Sequence, residues 1–269
     1  MTTAADRADR FRLYELAVQS PPADVDFVDR TFRQLRARTP RTLREDFCGS
    51  GAICREWVSR RRTNRAYGID LDPLVLDWAR DQRLTTLDPH QRRRIRLLRQ
   101  DVLAARTPTP DLVLAMNFSY WLLKERPALL GYFRQVRAAL GDGGMLFLDA
   151  YGGYDAIRVL SEERRVTDPQ EGDFTYAWEQ AAYEPVTGRL VCHIHFRFDD
   201  GSCLERAFSY DWRLWTLPEI RELLAEAGFA RVLVHWQGWD ATGSPDGVFR
   251  PVATGEPDAG WIAYISAEK

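Results

Sequence analysis

The sequence predicts an α/β fold whose core is a mostly parallel sheet. Three observations lead to this prediction. Short apolar runs alternate with longer amphipathic runs over residues 41–151, which is typical of βαβ units. The pattern changes over residues 172–210, where strand-like runs are joined by the turns PVTG and DDGS. It resumes with the amphipathic run TLPEIRELLAEAGF and two further apolar runs. We therefore expect a sheet with an antiparallel insertion after its fifth strand.

The composition is that of an ordinary globular protein. The 269 residues carry a formal net charge of −2, so nothing in the overall charge demands a nucleic acid or an anionic membrane as a partner. None of the four cysteines lies in a CxxC pair or at zinc-like spacing. The first 19 residues lack the apolar core of a secretory signal, and no apolar run has the length of a membrane span. We expect a cytoplasmic protein with reduced thiols and no metal site.

The first 40 residues are predicted to form a helical cap. The runs FRLYELAV and VDFVDRTFRQLRA have apolar residues at helical spacing, and Pro21-Pro22 separates them. Tyr14 lies in the first run, which a short linker joins to the rest of the chain. We expect this segment to close over the site and bring Tyr14 to a bound ligand.

Five predicted strands follow the cap. The first covers about residues 42–47, and a helix begins near Ala52. The runs RAYGID, RIRLLRQ, DLVLAM and GMLFLDAY form the second to fifth strands. Pro73 suits the first turn of the helix after the second strand. Ligands of open α/β sheets bind beyond the carboxyl ends of the strands, so the residues at those ends are candidates for binding.

The ends of the first three strands carry a glycine loop and two carboxylates. Gly49 and Gly51 allow the backbone to approach a ligand where a Cβ would clash. Asp70 follows the loop by about 20 residues, the position from which a carboxylate binds ribose hydroxyls. Asp101 could accept a hydrogen bond from an adenine amino group. Each feature alone is often a tight turn or a helix cap. Their common order and spacing are hard to explain as turns.

These stretches resemble motifs of the class I S-adenosylmethionine (SAM)-dependent methyltransferases. EDFCGSG is similar to the family's acid and glycine loop, with Phe47 in place of the first glycine. GIDLDPLVLDWAR, RQDVLA, PDLVLAMNFSYWLL and LGDGGMLFLD resemble the four motifs that follow. The resemblance covers about residues 41–151 and 213–266, and it implies a Rossmann-like core that binds SAM. With Tyr14 of the cap, the residues implied for the cofactor are Glu45, Cys48, Gly49, Gly51, Asp70, Leu71, Asp101, Val102 and Asn117.

The predicted domain organisation combines the patterns with the resemblance. Residues 1–40 form the cap, residues 41–151 and 213–269 the SAM-binding core, and residues 152–212 the antiparallel insertion. The insertion is rich in aromatic residues and leaves the core just after the fifth strand, beside the end of the fourth. We therefore expect it to select the methyl acceptor.

Three residues are candidates for the chemistry beside the methyl group. His193 and His195 share one face of a strand with Arg197. A general base there would raise the rate about 10²–10⁴-fold for an acceptor that must lose a proton, and His195 is the better candidate because it is nearer mid-strand. The alternative is a half-buried polar face with ordinary hydrogen bonds. Tyr120 of NFSY is predicted to wall the acceptor pocket. NFSY is also faintly similar to the Asn-Pro-Pro-Tyr signature of amine-modifying methyltransferases, without its prolines.

The sequence thus predicts a SAM-dependent methyltransferase that transfers a methyl group to an oxygen or nitrogen of a small molecule. A small acceptor is favoured because no basic tail, zinc module or nucleic-acid motif is present. Two alternatives remain. A nicotinamide-dependent dehydrogenase is disfavoured because Cys54 stands where the motif Gly-x-Gly-x-x-Gly needs its third glycine. A non-catalytic binding module with the same fold is the other. Either a monomer or a homodimer agrees with the sequence.

Overall fold

Two sheets organise the described part of the chain. The computed structural model describes residues 2–239, 242 and 245–269. Its strands, numbered in chain order, are β1 (Thr42–Asp46), β2 (Arg65–Asp70), β3 (Ile95–Arg99), β4 (Leu112–Ala115), β5 (Met145–Gly152), β6 (Leu160–Val166), β7 (Phe174–Glu184), β8 (Arg189–Phe198), β9 (Cys203–Arg213), β10 (Arg231–Trp239), β11 (Pro245–Val252) and β12 (Trp261–Glu268). Its α-helices are α1 (Ala4–Arg7), α2 (Arg10–Val18), α3 (Pro21–Arg36), α4 (Ala52–Arg60), α5 (Pro73–Trp78), α6 (Pro89–Arg92), α7 (Arg126–Ala139) and α8 (Leu217–Glu226).

The larger sheet has the order β11-β10-β12-β5-β4-β1-β2-β3. The five strands from β3 to β5 run parallel, and β12, β10 and β11 add to them in antiparallel pairing. The strand order reverses where β1 lies between β2 and β4. This reversal opens a crevice at the carboxyl ends of β1 and β4, where ligands of such sheets bind.

Helices cover both faces of this sheet. One face packs against α7 and α8 through residues such as Phe133 and Leu224. The other packs against α3, α4 and α5 through residues such as Phe32 and Trp57. Helix α3 belongs to this layer, α2 lies over the strand ends, and α1 contacts the hairpin between β8 and β9.

The smaller sheet has the antiparallel order β6-β7-β8-β9 and follows β5 in the chain. The predicted α/β fold with an antiparallel insertion is therefore confirmed. Two strands lie outside the expectation. The run LSEERRV of β6 is mostly exposed and lacks alternation, as an edge strand allows. The run PDGVFRPV of β11 contains two prolines, which are tolerated because β11 is also an edge.

His235 makes the stability of the core sensitive to acid. It lies on β10, is buried, and its Nε2 is 2.8 Å from the Ser266 hydroxyl of β12. Burial lowers the pKa of His235 from 6.5 to about 4. The unfolded chain therefore binds a proton that the folded chain does not, and the stability present above pH 6.5 is lost as the pH falls toward 4.

We expect the substitution His235→Gln to flatten this pH dependence. The histidine's share of the loss between pH 7.5 and pH 5 is about 2 kcal/mol. The free energy of unfolding, measured with urea at both pH values, should fall less in the variant than in the wild type. His90→Gln is the matched control, since His90 lies on the exposed helix α6. Equal pH dependence in the wild type and His235→Gln would contradict the assignment.

Candidate active site

A cavity of about 600 Å³ opens beyond the carboxyl ends of β1 to β4, and we call it the strand-end cavity. Of the ten residues predicted for the cofactor, nine line it: Tyr14, Glu45, Cys48, Gly49, Asp70, Leu71, Asp101, Val102 and Asn117. Gly51 is the exception. It precedes α4 with φ 66°, and a Cβ there would lie 2.9 Å from Leu97 Cδ2, so its role is to let the loop pass β3.

The loop after β1 has a left-handed backbone at three positions. Gly49 and Gly51 have φ of 50° and 66°, which glycine adopts without strain. Phe47 has φ 56°, in the position where the resembled motif has a glycine. An ordinary residue in this region costs about 1–2 kcal/mol. The Phe47 ring lies 5.9 Å from that of Tyr132, and this packing offsets part of the cost. The loop thus keeps the glycine's conformation without the glycine.

Carboxylates fix the loop from two sides. Asp70 Oδ2 accepts the N–H of Gly49 at 2.7 Å, and its Oδ1 accepts that of Asp72 at 2.9 Å. Glu45 accepts the N–H of Cys54, in the first turn of α4, at 3.0 Å. Burial raises the pKa of Glu45 to about 7 and also raises that of Asp70. Both groups therefore favour a cation in the cavity, because a nearby positive charge stabilises a desolvated carboxylate.

Asp149, directly after the stretch of β5 that pairs with β4, holds the loop after β4. Asn117 and Phe118 have φ of 55° and 57°, so two consecutive side chains take the left-handed conformation. Their N–H groups donate to the two oxygens of Asp149 at 2.8 and 2.9 Å. Burial raises the pKa of Asp149 to about 7. The sequence patterns did not predict a role for this residue, although an acid within the apolar run LFLDAY is a visible signal.

Tyr120 supports the same loop from below. It is fully buried, and its hydroxyl donates to the carbonyl oxygen of Asp149 at 2.8 Å. Tyr120 lines neither this cavity nor the second one described below. The prediction that it walls the acceptor pocket is therefore corrected. Its neighbours Asn117 and Phe118 occupy that wall, because the chain turns inward in the short 3₁₀ turn Ser119–Leu122.

A second cavity, of about 420 Å³, lies beside the first, and we call it the aromatic cavity. Strands of the insertion supply one wall and β10, β12 and the end of β5 another. Its aromatic lining residues are Tyr14, Phe118, Tyr151, Tyr176, Trp178, Tyr210, Trp212, Trp239 and Trp261. The carboxylates of Asp155 and Glu162 also line it, whereas no Lys, Arg or His does so among the described residues. This lining suits an apolar or cationic ligand.

The two cavities share a wall, which we call the junction. Within the described ranges the junction consists of Tyr14, Asn117, Tyr210 and Trp212, which line both cavities. The rings of Tyr210 and Trp212 stack with centroids 4.3 Å apart. Tyr14 comes from α2, Asn117 from the loop after β4, and the other two from β9. Three separate parts of the chain therefore meet at the wall between the two cavities.

His193 and His195 lie on the opposite face of β8. Ile194, between them, lines the aromatic cavity, and strand alternation turns its neighbours the other way. His193 Nδ1 is 2.8 Å from the Ser209 hydroxyl. His195 contacts the carboxylates of Glu179 and Glu205. The prediction of a catalytic role for these histidines is therefore corrected, and the alternative of a polar face with ordinary hydrogen bonds describes them.

Ion pairs hold α2 over both cavities. Glu15 Oε1 lies 2.6 Å from Arg55 Nη2, and its Oε2 lies 2.8 Å from Arg83 Nε. Both arginines belong to the part of the chain that forms the larger sheet and its helices. Arg12 lies 3.6 Å from Asp168, in the insertion. Tyr14 lies between these contacts, with its ring 4.8 Å from that of Phe208. The position of Tyr14 thus depends on the core and the insertion together.

The comparisons with known proteins agree with this architecture. Residues 48–146 match the family model of a methyltransferase domain. The predicted resemblance to class I SAM-dependent methyltransferases is confirmed by this match together with the shared fold. No curated protein matches the chain.

Solved structures share the fold over nearly the whole chain. A SAM-dependent methyltransferase from Clostridium acetobutylicum has a TM-score of 0.68 at 16% identity, over 96% of each chain. SAM-bound CalS10, an amino pentose methyltransferase from Micromonospora echinaspora, has a TM-score of 0.66 at 17% identity, over 96% of this chain and 95% of its own. The sugar N-methyltransferase KedS8 from Streptoalloteichus has a TM-score of 0.65 at 16% identity, over 97% of this chain and 93% of its own. At such identities the likeness concerns the fold.

The described part of the chain shows neither a metal-binding cluster nor a membrane-spanning helix. No cluster of three or more His, Cys, Asp or Glu side chains there could hold a metal ion. No helix there combines the length and apolar character of a membrane span.

We expect Asp149→Asn to loosen the junction. An amide offers one acceptor oxygen where two N–H groups each need one, so one buried donor loses its partner at a cost of about 1–3 kcal/mol. Urea unfolding should show this loss, and hydrogen exchange should speed up at the amides of Asn117 and Phe118. Asp142→Asn, at an exposed turn, is the matched control. Unchanged exchange at both amides would show that Asp149 does not hold the loop.

Proposed function

We propose that this chain is a SAM-dependent methyltransferase that transfers a methyl group to an oxygen or nitrogen of a small molecule. The observation that carries the proposal is the junction. A cavity with the features of a SAM site meets a second cavity of small-molecule size along one shared wall. Methyl transfer requires this arrangement, because the acceptor must approach the methyl group in line with the bond that breaks.

The charge of the strand-end cavity supports SAM as the cofactor. Its lining residues include the acids Glu45, Asp70, Asp72 and Asp101, besides Asp46, which is ion-paired with the buried Arg44, and no Lys, Arg or His within the described residues. SAM carries a sulfonium and an ammonium, which such a lining attracts. A nicotinamide dinucleotide carries a pyrophosphate, which it repels. The dehydrogenase alternative is therefore disfavoured.

Unpaired polar atoms in the same cavity also fit SAM. The Ser50 hydroxyl and Gln19 Oε1 are buried without a hydrogen-bond partner, and both residues line the cavity. The Gln19 oxygen can accept a hydrogen bond from the ammonium of the methionine part, and the Ser50 hydroxyl can donate one to its carboxylate. Asp70 is suited to the ribose hydroxyls, because each of its oxygens accepts one backbone N–H and keeps a second acceptor position. Asp101 and Val102 would flank adenine.

The chain's contribution to the reaction is mainly alignment. SAM, when bound, supplies a methyl group on a sulfonium that is a good leaving group. The junction residues would hold the acceptor atom in line with that methyl group, and such positioning supplies about 7–11 kcal/mol of the barrier. The helix α2 would exclude water from both cavities, because Tyr14 closes each of them.

The insertion would select the acceptor. It contributes about half of the aromatic cavity's lining, including Tyr176, Trp178 and Gln180. A volume of about 420 Å³ lies within the usual range of small-molecule sites. Two of the similar structures are named for sugar acceptors, which are also small molecules. The free thiols of all four cysteines support a cytoplasmic location.

Calorimetric titration with SAM and with NAD tests the proposal. The wild type should bind SAM and not NAD. Asp70→Asn should weaken SAM binding about tenfold to a hundredfold, because a hydrogen bond to a charged group contributes about 1.5–3 kcal/mol. The control is the double variant His193→Ala/His195→Ala, which should bind SAM as the wild type does. Binding of NAD instead of SAM, or no binding of either, would overturn the proposal.

A further inference from the structure

We propose that the acceptor atom is the nitrogen of an amine, and that this amine attacks the methyl group without help from a protein base. The inference rests on the proposed function and concerns its acceptor. It follows from the side chains that surround the junction and from those that do not reach it.

The junction itself holds no group that ionises near neutral pH, within the described residues. Its polar groups are two phenols, one carboxamide and one indole, from Tyr14, Tyr210, Asn117 and Trp212. Burial raises the pKa of Tyr14 and raises that of Tyr210 well above its usual range. Both phenols therefore stay neutral, and neither serves as a base. A carboxamide and an indole have no basic lone pair at neutral pH.

The carboxylates of the aromatic cavity lie away from β9, the strand that supplies Tyr210 and Trp212 to the junction. Glu162 of β6 is aligned through β7 and β8 with Phe208 of β9, so three strand spacings, about 14 Å, separate its position from that strand. Asp155 is paired with Arg158 at 2.8 Å. Its carbonyl accepts from Gln180, whose strand position is two spacings, about 10 Å, from Tyr210.

The remaining acids near the junction, among the residues that the structure describes, are held in other contacts. Asp149 lies behind the junction, lines neither cavity, and directs both oxygens to backbone N–H groups. Asp46 forms a buried ion pair with Arg44 at 2.7 Å. Glu45 faces the strand-end cavity and is bound to the first turn of α4. The other acids of that cavity, Asp70, Asp72 and Asp101, follow β2 and β3, on the far side of β1 from β4. His193 and His195 face away.

This arrangement favours an amine over an alcohol. An alcohol is a weak nucleophile that must give its proton to a base as the C–O bond forms, and the lack of a base costs about 10²–10⁴-fold in rate. A neutral amine has a free lone pair. That lone pair forms the N–C bond, the C–S bond breaks, and its electron pair stays on sulfur, so the sulfonium becomes a thioether. The product is an N-methylammonium, which later releases its proton to water.

The junction also suits the charge that develops on nitrogen. The stacked rings of Tyr210 and Trp212 present aromatic faces, which stabilise a cation by about 0.5–2 kcal/mol. The Asn117 side-chain oxygen and the phenol oxygens can accept hydrogen bonds from the amine and direct its lone pair. No cationic side chain among the described lining residues opposes the charge, and Glu162 at the other end of the cavity attracts an amine. These residues act as positioning residues.

Paired acceptors that share a carbon skeleton test the proposal. The probes are 2-phenylethylamine with 2-phenylethanol, tryptamine with tryptophol, and glucosamine with glucose, each incubated with the full chain and methyl-labelled SAM. We expect label in at least one amine, at a rate at least a hundredfold above that of its alcohol. Labelling of an alcohol at a comparable rate, or of no probe, would overturn the inference. Failure to bind SAM in calorimetry would instead overturn the proposed function.

The pH dependence of kcat/KM for the labelled amine gives a second test. Its rising limb should follow the pKa of the acceptor amine and move when an analogue with a lower amine pKa is used. Tyr14→Phe and Tyr210→Phe should each lower the rate about threefold to tenfold, the effect of one hydrogen bond, without moving that limb. Glu205→Gln, on the opposite face of β9, is the control and should keep the rate. A limb that stays fixed when the amine changes would reveal a protein base.

Discussion

The junction depends on one buried carboxylate that accepts two backbone N–H groups. Asp149 of β5 holds Asn117 and Phe118 in the left-handed conformation at the end of the neighbouring strand. Without these bonds the N–H groups of Asn117 and Phe118 would lose their buried acceptors, and the loop would return to ordinary backbone angles. Asn117 would then leave the wall that the cavities share. The parallel pairing of β4 with β5 is what brings the acid next to the loop. The register of β4 against β5 therefore also determines the geometry of the site.

The strand ends were predictable because they follow from local patterns. The glycine loop, Asp70 and Asp101 each end a short apolar run, and the carboxyl ends of parallel strands meet at one edge of the sheet. The backbone of Phe47 was not predictable, because its left-handed angle is stabilised by the distant Tyr132. Asp149 shows the same limit, since its partners lie about 30 residues away in the chain.

The face of a strand was harder to assign than its alternation. Alternation correctly put His193 and His195 on one side and Cys192, Ile194 and Phe196 on the other. The apolar set turns toward the cores, since burial of those side chains stabilises the fold. The histidines then lie on the other face, where His193 contacts Ser209 and His195 contacts Glu179 and Glu205. The apolar residues of this strand are therefore a better guide to its buried face than the pair of histidines. The edge strands β6 and β11 were missed because edges tolerate polar residues and proline.

The helix α2 would couple the binding of the cofactor to the binding of the acceptor. Tyr14 belongs to both walls, and the ion pairs of Glu15 and Arg12 tie its helix to the core and to the insertion. Under the proposed function, whichever ligand bound first would restrict this helix, so the second would meet a wall that is already ordered. Such coupling is reciprocal: if the cofactor tightens the acceptor's binding by some factor, the acceptor tightens the cofactor's binding by the same factor. Demethylated cofactor and methylated acceptor would hold each other in the same way, which makes the opening of α2 a step that both products share.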